Sequence, residues 1–118
     1  MIIETLTDLV NVHPSLLPYY RGPTPIEWCI ENNEKQTGWT LHRINEEIDG
    51  GEILYQEVIK IHSSSVNDVK SDMIKTARVV LLKYLFSKII NNHFQQKKVD
   101  ASFLYSKKIN YLSFHKFL

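Results

Sequence analysis

Three residues in the first half of this 118-residue chain carry groups suited to moving protons around a carbonyl: Asn11, His13 and Asp49. Asn11 offers an amide donor, His13 a proton that exchanges near neutral pH, and Asp49 a negative partner that raises the proton affinity of an imidazole. A carbonyl under attack by an amine needs a donor for its oxygen, a proton shuttle, and a charge that holds the shuttle in its cationic form. The set therefore points to acyl-type transfer. Asn11 and His13 are two apart, so in a strand both side chains leave the same face. Asp49 precedes Gly50-Gly51, where backbone can approach a ligand closely. Each feature also has an ordinary structural use. Asn-x-His at a strand end serves packing and hydrogen bonding in many folds, and Asp before a glycine pair is a common turn residue. A metal site built from His13, His42 and Asp49 lacks the closely spaced ligand pair typical of such sites.

Several elements must position these residues. Asp8-Leu9-Val10-Asn11-Val12 predicts a short buried strand, closed at His13-Pro14 because proline cannot donate to a ladder. The carboxyl end of such a strand is where an open α/β sheet places its ligands. Residues 14–23 predict a loop. Thr24 is expected to cap a helix over Pro25–Asn32, with Pro25 at its first position and Ile26, Cys29 and Ile30 on one face. A second strand, Thr37–Ile44, sets Trp39, Leu41 and Arg43 on one face and Thr40, His42 and Ile44 on the other. Asn45–Gly51 predicts an acidic loop and Ile53–Ile61 a third strand. The strongest helical pattern is Val66–Ile90. Ser65 stands at its N-cap, Asp68 at N3, and Val66, Val69, Met73, Ala77, Val80 and Tyr84 recur at three- and four-residue steps. That stripe requires a sheet beneath it and leaves Lys70, Lys83 and Lys88 to solvent. Residues 99–118 alternate weakly and predict a terminal hairpin or an irregular arm. The order strand–helix–strand–strand–helix belongs to an α/β or α+β domain.

All four Pro and all four Gly lie before residue 52, in the half that carries the candidate chemistry. Hydrophobic residues at 43% and charged residues at 23% exclude a disordered chain, a collagen and a coiled-coil rod. The apolar runs are too short to span a membrane. Glu4 and Asp8 stand where an export signal would be basic and apolar, and Cys29 has no partner for an intramolecular disulfide, so the cytoplasm is the expected location. The formal charge of +1 divides into −7 over residues 1–59 and +8 over residues 60–118. The basic half could face an anionic partner, or the two halves could neutralise each other.

Asn11-Val12-His13-Pro14-Ser15-Leu16-Leu17-Pro18, then Arg21-Gly22, then Gly38-x-Thr40, then Asp49-Gly50-Gly51, resemble in type and order the motif blocks of the formyltransferases that use 10-formyltetrahydrofolate. These act on glycinamide ribonucleotide, methionyl-tRNA or amino sugars. The likeness covers residues 8–61, and the helix over 66–90 fits the element that follows. The resemblance implies an α/β fold: the C-terminal portion of a Rossmann-like formyltransferase domain, an open sheet with a long C-terminal helix. Residues 1–95 would form a partial catalytic domain and 96–118 an unassigned arm. It implies a transferase of one-carbon metabolism, without a metal. Asn11 would hold the formyl oxygen, His13 would give a proton to the departing tetrahydrofolate, and Asp49 would charge His13 and hold a relaying water. Thr40 would help bind that water, while Asn45, Glu46, Glu47, Ile48 and Asp49 would contact the folate through backbone groups. A cis Leu17–Pro18 bond is expected. The acceptor implied first is an amino group on a nucleotide-linked sugar. Methionyl-tRNA is the alternative, because Arg21-Gly22-Pro23-Thr24-Pro25-Ile26 resembles that branch too; tRNA is not favoured. Family members carry a further half-domain before the Asn-x-His block. The chain is therefore expected to be a fragment, a truncated product or half of a two-chain enzyme. Its exposed sheet edge would be open to a partner chain or to self-association. A non-catalytic remnant that binds a partner is the alternative from another class.

Overall fold

The structure is a computed structural model and describes residues 2–4, 9–44 and 51–105. Its elements are β1 (Ile2–Glu4), β2 (Leu9–His13), α1 (Pro25–Glu31), β3 (Gln36–Arg43), β4 (Ile53–Lys60) and α2 (Val66–Ile89), followed by a 3-10 turn over Ala101–Phe103. The four strands form one sheet in the order β1-β2-β3-β4, each pair antiparallel. The strands and helices expected between residues 8 and 90 are present, with ends within about two residues of their predicted positions, and most of the arm or hairpin expected over 99–118 lies outside the described residues. Leu9–His13 runs one residue further than predicted, to His13, and Asp8 lies outside the described residues.

Side-chain alternation divides the sheet into two working faces. On one face α2 buries Val69, Met73, Ala77, Val80, Leu81 and Tyr84 against Val10, Trp39, Leu41, Leu54 and Ile59, with Ile26 of α1 at the margin. Ser65 caps α2 as its sequence predicts, accepting the Asp68 N–H at 3.4 Å. Lys70 and Lys83 are exposed, whereas Lys88 is half-buried with its Nζ 5.4 Å from the centre of the Tyr84 ring. On the other face lies a second cluster of Leu16, Tyr20, Cys29, Ala101 and Tyr105. Loop 14–23 and the segment after α2 thus meet across the sheet face that α2 does not use. Gly38 sits at this crossing. A Cβ there would collide with the Glu57 carbonyl oxygen and the Leu16 side chain, so only glycine lets the loop lie on the strands.

One expectation is corrected, and one strand is new. Thr24 does not cap α1: it takes a left-handed conformation, φ 55°, and its hydroxyl makes no cap hydrogen bond. The turn that delivers Pro25 is set by backbone bonds instead, with Trp28 N–H donating to the Thr24 carbonyl at 3.2 Å. The structure also adds a strand outside the one bearing Asn11. β1 pairs along it from Leu9 to Asn11, so the edge lies one strand further out and is three residues long. The signal for β1 is the Ile2-Ile3 pair, too short to stand out by periodicity. The Leu17–Pro18 bond is cis, as the resemblance implied.

Candidate functional site

The site grows from the last residues of β2. Antiparallel pairing sets Asn11 opposite His42 and His13 opposite Thr40, so all four side chains leave the face away from α2. Asn11 is half-buried, and His13 and His42 are buried. Asn11 Nδ2 lies 3.1 Å from His42 Nε2. His42 Nδ1 lies 3.1 Å from the Arg43 carbonyl oxygen, which can only accept, so Nδ1 carries the hydrogen. Nε2 is then the acceptor for the Asn11 amide, and the two contacts agree on one tautomer. His42 therefore fixes which way the Asn11 carboxamide points. The His13 and His42 rings meet edge-on, with centroids 6.5 Å apart.

His13 is oriented by the loop that follows it. Its Nε2 lies 3.1 Å from the Tyr20 carbonyl, again an acceptor only, so the hydrogen sits on Nε2. Tyr20 adopts φ 54°, which turns that carbonyl back toward β2. Ser15 Oγ closes the same loop, lying 2.8 Å from the Tyr19 carbonyl and 3.2 Å from that of Tyr20.

Thr40 is fully buried beneath this loop. Its hydroxyl donates to the Ser15 carbonyl at 2.6 Å and accepts from Leu17 N–H at 3.1 Å and Gln56 Nε2 at 2.9 Å. One donor and two lone pairs are the full capacity of a hydroxyl. Thr40 is thus a clamp on the loop.

Asp49, with Asn45, Glu46, Glu47 and Ile48, lies outside the described residues. The feet of its loop are described. Ile44 N–H donates to the Leu9 carbonyl at 3.0 Å, and Arg43 N–H to the Glu52 carbonyl at 2.9 Å. A Cβ at Gly51 would overlap the Arg43 carbonyl, so the loop returns to β3 through a gap that only glycine fills. The loop therefore leaves and re-enters the fold beside His42.

Behind loop 14–23 sits a buried polar cluster. Asn32 Nδ2 donates to Tyr20 Oη at 3.2 Å, and Tyr20 Oη donates to Glu34 Oε1 at 3.1 Å. Cys29 Sγ reaches Thr37 Oγ1 at 3.5 Å, and Thr37 Oγ1 lies 3.2 Å from Tyr105 Oη. Burial pushes the Cys29 thiol up to about 12 and raises both the Tyr20 and Tyr105 phenols above their ordinary values. These groups stay protonated at neutral pH, so they build the site rather than perform chemistry. An apolar groove of about 520 Å³ lined by Val12, Trp39, Met73, Ile74 and Leu82 lies on the α2 face, away from Asn11 and His13. Among the described residues no group of three metal-ligating side chains is assembled, and no helix is long and apolar enough to cross a membrane.

The sequence pattern brings out Asn11 and His13 through their strand spacing. His42 and Gln56 are the working residues it leaves unassigned, because their roles depend on register across strands. The available signal for His42 is its place two residues after Thr40, on the same face of β3.

Residues 2–85 match a family model described as formyl transferase. A methionyl-tRNA formyltransferase of Buchnera aphidicola subsp. Acyrthosiphon pisum is 37% identical over 101 residues, covering 85% of this chain and 32% of that protein. The GDP-perosamine N-formyltransferase of Brucella melitensis is 49% identical over 55 residues, 47% of this chain and 21% of that protein. The crystal structure of WlaRD, a sugar 3N-formyl transferase in the presence of dTDP and 5-N-formyl-THF, superposes with a TM-score of 0.64 at 30% identity, over 86% of this chain and 38% of that one. The chain spans about a third of the length of the curated relatives it matches.

Proposed function

This chain belongs to the formyl transferase family, its elements forming the C-terminal portion of that Rossmann-like fold, and on that premise we propose that its site moves a formyl group from 10-formyltetrahydrofolate to a primary amine. The observation that carries the proposal is the Asn11 amide set by His42 at the end of β2, two residues from a His13 held by its own loop. 10-Formyltetrahydrofolate, the donor substrate, supplies a formyl carbon bonded to a nitrogen that departs once protonated.

Asn11 donates to the formyl oxygen as negative charge gathers there, the oxyanion-hole role of a fixed amide. The acceptor amine adds to the formyl carbon, forming the new C–N bond and a tetrahedral intermediate, whose collapse breaks the bond to the folate nitrogen. Protonated His13 carries hydrogen on both ring nitrogens. Nε2 is engaged with the Tyr20 carbonyl, so the proton that passes to the departing nitrogen is the one on Nδ1. Asp49 stabilises that imidazolium and takes up, through a water, the proton the amine sheds. Thr40 acts indirectly, by clamping the loop. Backbone groups of Asn45–Asp49 hold the flat heterocycle of the folate.

For the acceptor we favour an amino group on a nucleotide-linked sugar, supported by the short, highly identical stretch shared with the perosamine enzyme and by the likeness to WlaRD. Methionyl-tRNA is the second reading, supported by the Buchnera relative, which matches more of the chain. We place the activity in the cytoplasm, where a single buried thiol stays reduced. Because the chain spans so little of its relatives' length, we infer that full turnover needs further walls around the site, supplied by additional polypeptide.

The test is formyl transfer by the 118-residue chain, alone and with the N-terminal half-domain of a sugar formyltransferase added as a separate polypeptide. Amino-sugar nucleotide and methionyl-tRNA serve as acceptors. Turnover that needs the added half and disappears in His13→Ala supports the proposal. No transfer to either acceptor with the half-domain bound overturns it and favours a non-catalytic remnant.

A further inference from the structure

We propose that the segment from Phe94 to Tyr105, beyond the stretch that matches the family model, is a strap that positions His13 for the reaction, acting through Gln56 and Tyr105. The proposal rests on the functional reading above for the importance of His13, but its structural content stands apart from it.

The strap starts at Phe94, whose ring packs edge-on against Tyr84 at 5.1 Å and tilted against Tyr55 at 6.1 Å. It then runs parallel to β4 for a single rung. Gln56 N–H donates to the Lys97 carbonyl at 2.9 Å, and Lys97 N–H to that of Leu54 at 3.3 Å. Two residues on, Val99 N–H donates to Gln56 Oε1 at 2.9 Å. Gln56 is fully buried, and its amide nitrogen donates on the opposite side, to the Leu17 carbonyl and to Thr40 Oγ1, both at 2.9 Å. The Gln56 carboxamide thus has its acceptor end taken by the strap and its donor end by the loop. Val99 decides which end faces which, since only an oxygen can receive its N–H.

A second contact reaches the same loop one residue earlier. Leu16 N–H donates to Tyr105 Oη at 3.2 Å. The Tyr105 ring lies edge-on to Tyr20 at 4.8 Å and to Tyr19 at 5.7 Å. Asp100 shapes the turn that delivers Tyr105, accepting from Ser102 N–H at 3.0 Å and from Ser102 Oγ at 2.6 Å. Leu16 and Leu17 are therefore both tied to the strap, directly or through one side chain. The carbonyl that holds His13 belongs to Tyr20, a few residues further along the same compact loop. Buried hydrogen bonds in such a chain are costly to leave unmade, so movement of the strap is passed to the loop rather than absorbed.

The experiment reads the His13 ring directly. Uniformly labelled chain is studied by long-range proton–nitrogen NMR, with His13 assigned by its loss in His13→Gln. The wild type is expected to show His13 as the Nε2–H tautomer, with slow exchange of that hydrogen with water. Tyr105→Phe and Gln56→Met should speed this exchange tenfold or more and mix the tautomers, while Lys97→Ala, which removes the side-chain contacts of the strap with Glu57 and the Tyr55 ring but not its bonds to Gln56, should not. Tyr105→Phe removes one oxygen and serves as the reading should Gln56→Met fail to fold. If Tyr105→Phe lowers thermal stability yet leaves the His13 signature as in the wild type, the strap is merely structural and the proposal fails. Absence of formyl transfer by wild type and added half-domain would count against the function alone, because the ring signature is measured without substrate.

Discussion

A carboxamide at the end of a strand has two ways round, and at Asn11 His42 chooses between them. The Nδ1–H to the Arg43 carbonyl leaves His42 Nε2 as an acceptor, which admits only the nitrogen of Asn11. Removing the donor outright with Asn11→Ala should lower kcat of the complemented enzyme by roughly 10²–10³-fold, the usual effect of losing one oxyanion donor. His42→Phe keeps the ring volume but not the acceptor, so a smaller loss is expected, in kcat with KM nearly constant; an equal rise in KM would instead place His42 in substrate binding. Asn11 and His13 are legible in the sequence because a two-residue period fixes their shared face whatever the fold. His42 is not, because its partner lies 31 residues away and only strand register joins them. Thr40 is read from the family motif as a binding residue, and its burial is invisible until the loop is seen to fold over it. The buried Cys29, Tyr20 and Tyr105 give a separate expectation. Each has a folded-state pKa raised by burial, so each adds stability that is complete below its unfolded value and is lost as pH rises. For Cys29 the window runs from about 9 to about 12. Urea midpoints should therefore fall steadily above pH 9, and Cys29→Ala should flatten part of that slope.

Among the elements, α2 is the one most fully written in the sequence, since its stripe of apolar residues at three- and four-residue steps lands on the sheet. Val80 sits within that stripe at 9% exposure, whereas its neighbour Val79 is 53% exposed. Val80→Asp buries an unpaired carboxylate and should cost about 3–5 kcal/mol, while Val79→Asp should change stability by no more than about 0.5 kcal/mol. Equal losses in urea denaturation would mean the helix is rotated from the register described. The start of α1 is less legible. Thr24 precedes Pro25 as a capping residue should, but the residue before a proline is pushed from ordinary helical entry, and here it turns left-handed. β1 is invisible for a different reason: three residues hold too little pattern, and pairing with β2 rather than propensity makes them a strand.

For the molecule as a whole, the two faces of α2 tell different stories. Its first half is polar outside apart from Ile74, but Val79, Leu82, Phe86 and Ile89 form a second stripe, each more than half exposed and opposite the buried one. A helix segment apolar on both sides is ordinarily covered on both. Phe86→Glu should therefore leave urea stability within about 0.5 kcal/mol of wild type while clearly lowering binding of a hydrophobic dye; a large destabilisation would show that Phe86 already packs within the chain. The divided charge, acidic to residue 59 and basic beyond, is legible at once in the sequence.

The hydrogen bond from Leu16 N–H to Tyr105 Oη joins positions 89 apart, from near the first strand of the site to beyond α2. In a chain made from its amino end, Asn11, His13 and the loop beside them leave the ribosome long before their final anchor. The sheet and α2 have every contact they need by then, so they can settle first. The His13 loop gains its Tyr105 anchor only when residue 105 emerges. A messenger cut short, or a protease acting between Val99 and Tyr105, would yield a chain that keeps the sheet, α2 and the Gln56 contacts yet lacks the Tyr105 anchor of its reactive loop. Completeness of synthesis is thus itself a condition for a correctly set site.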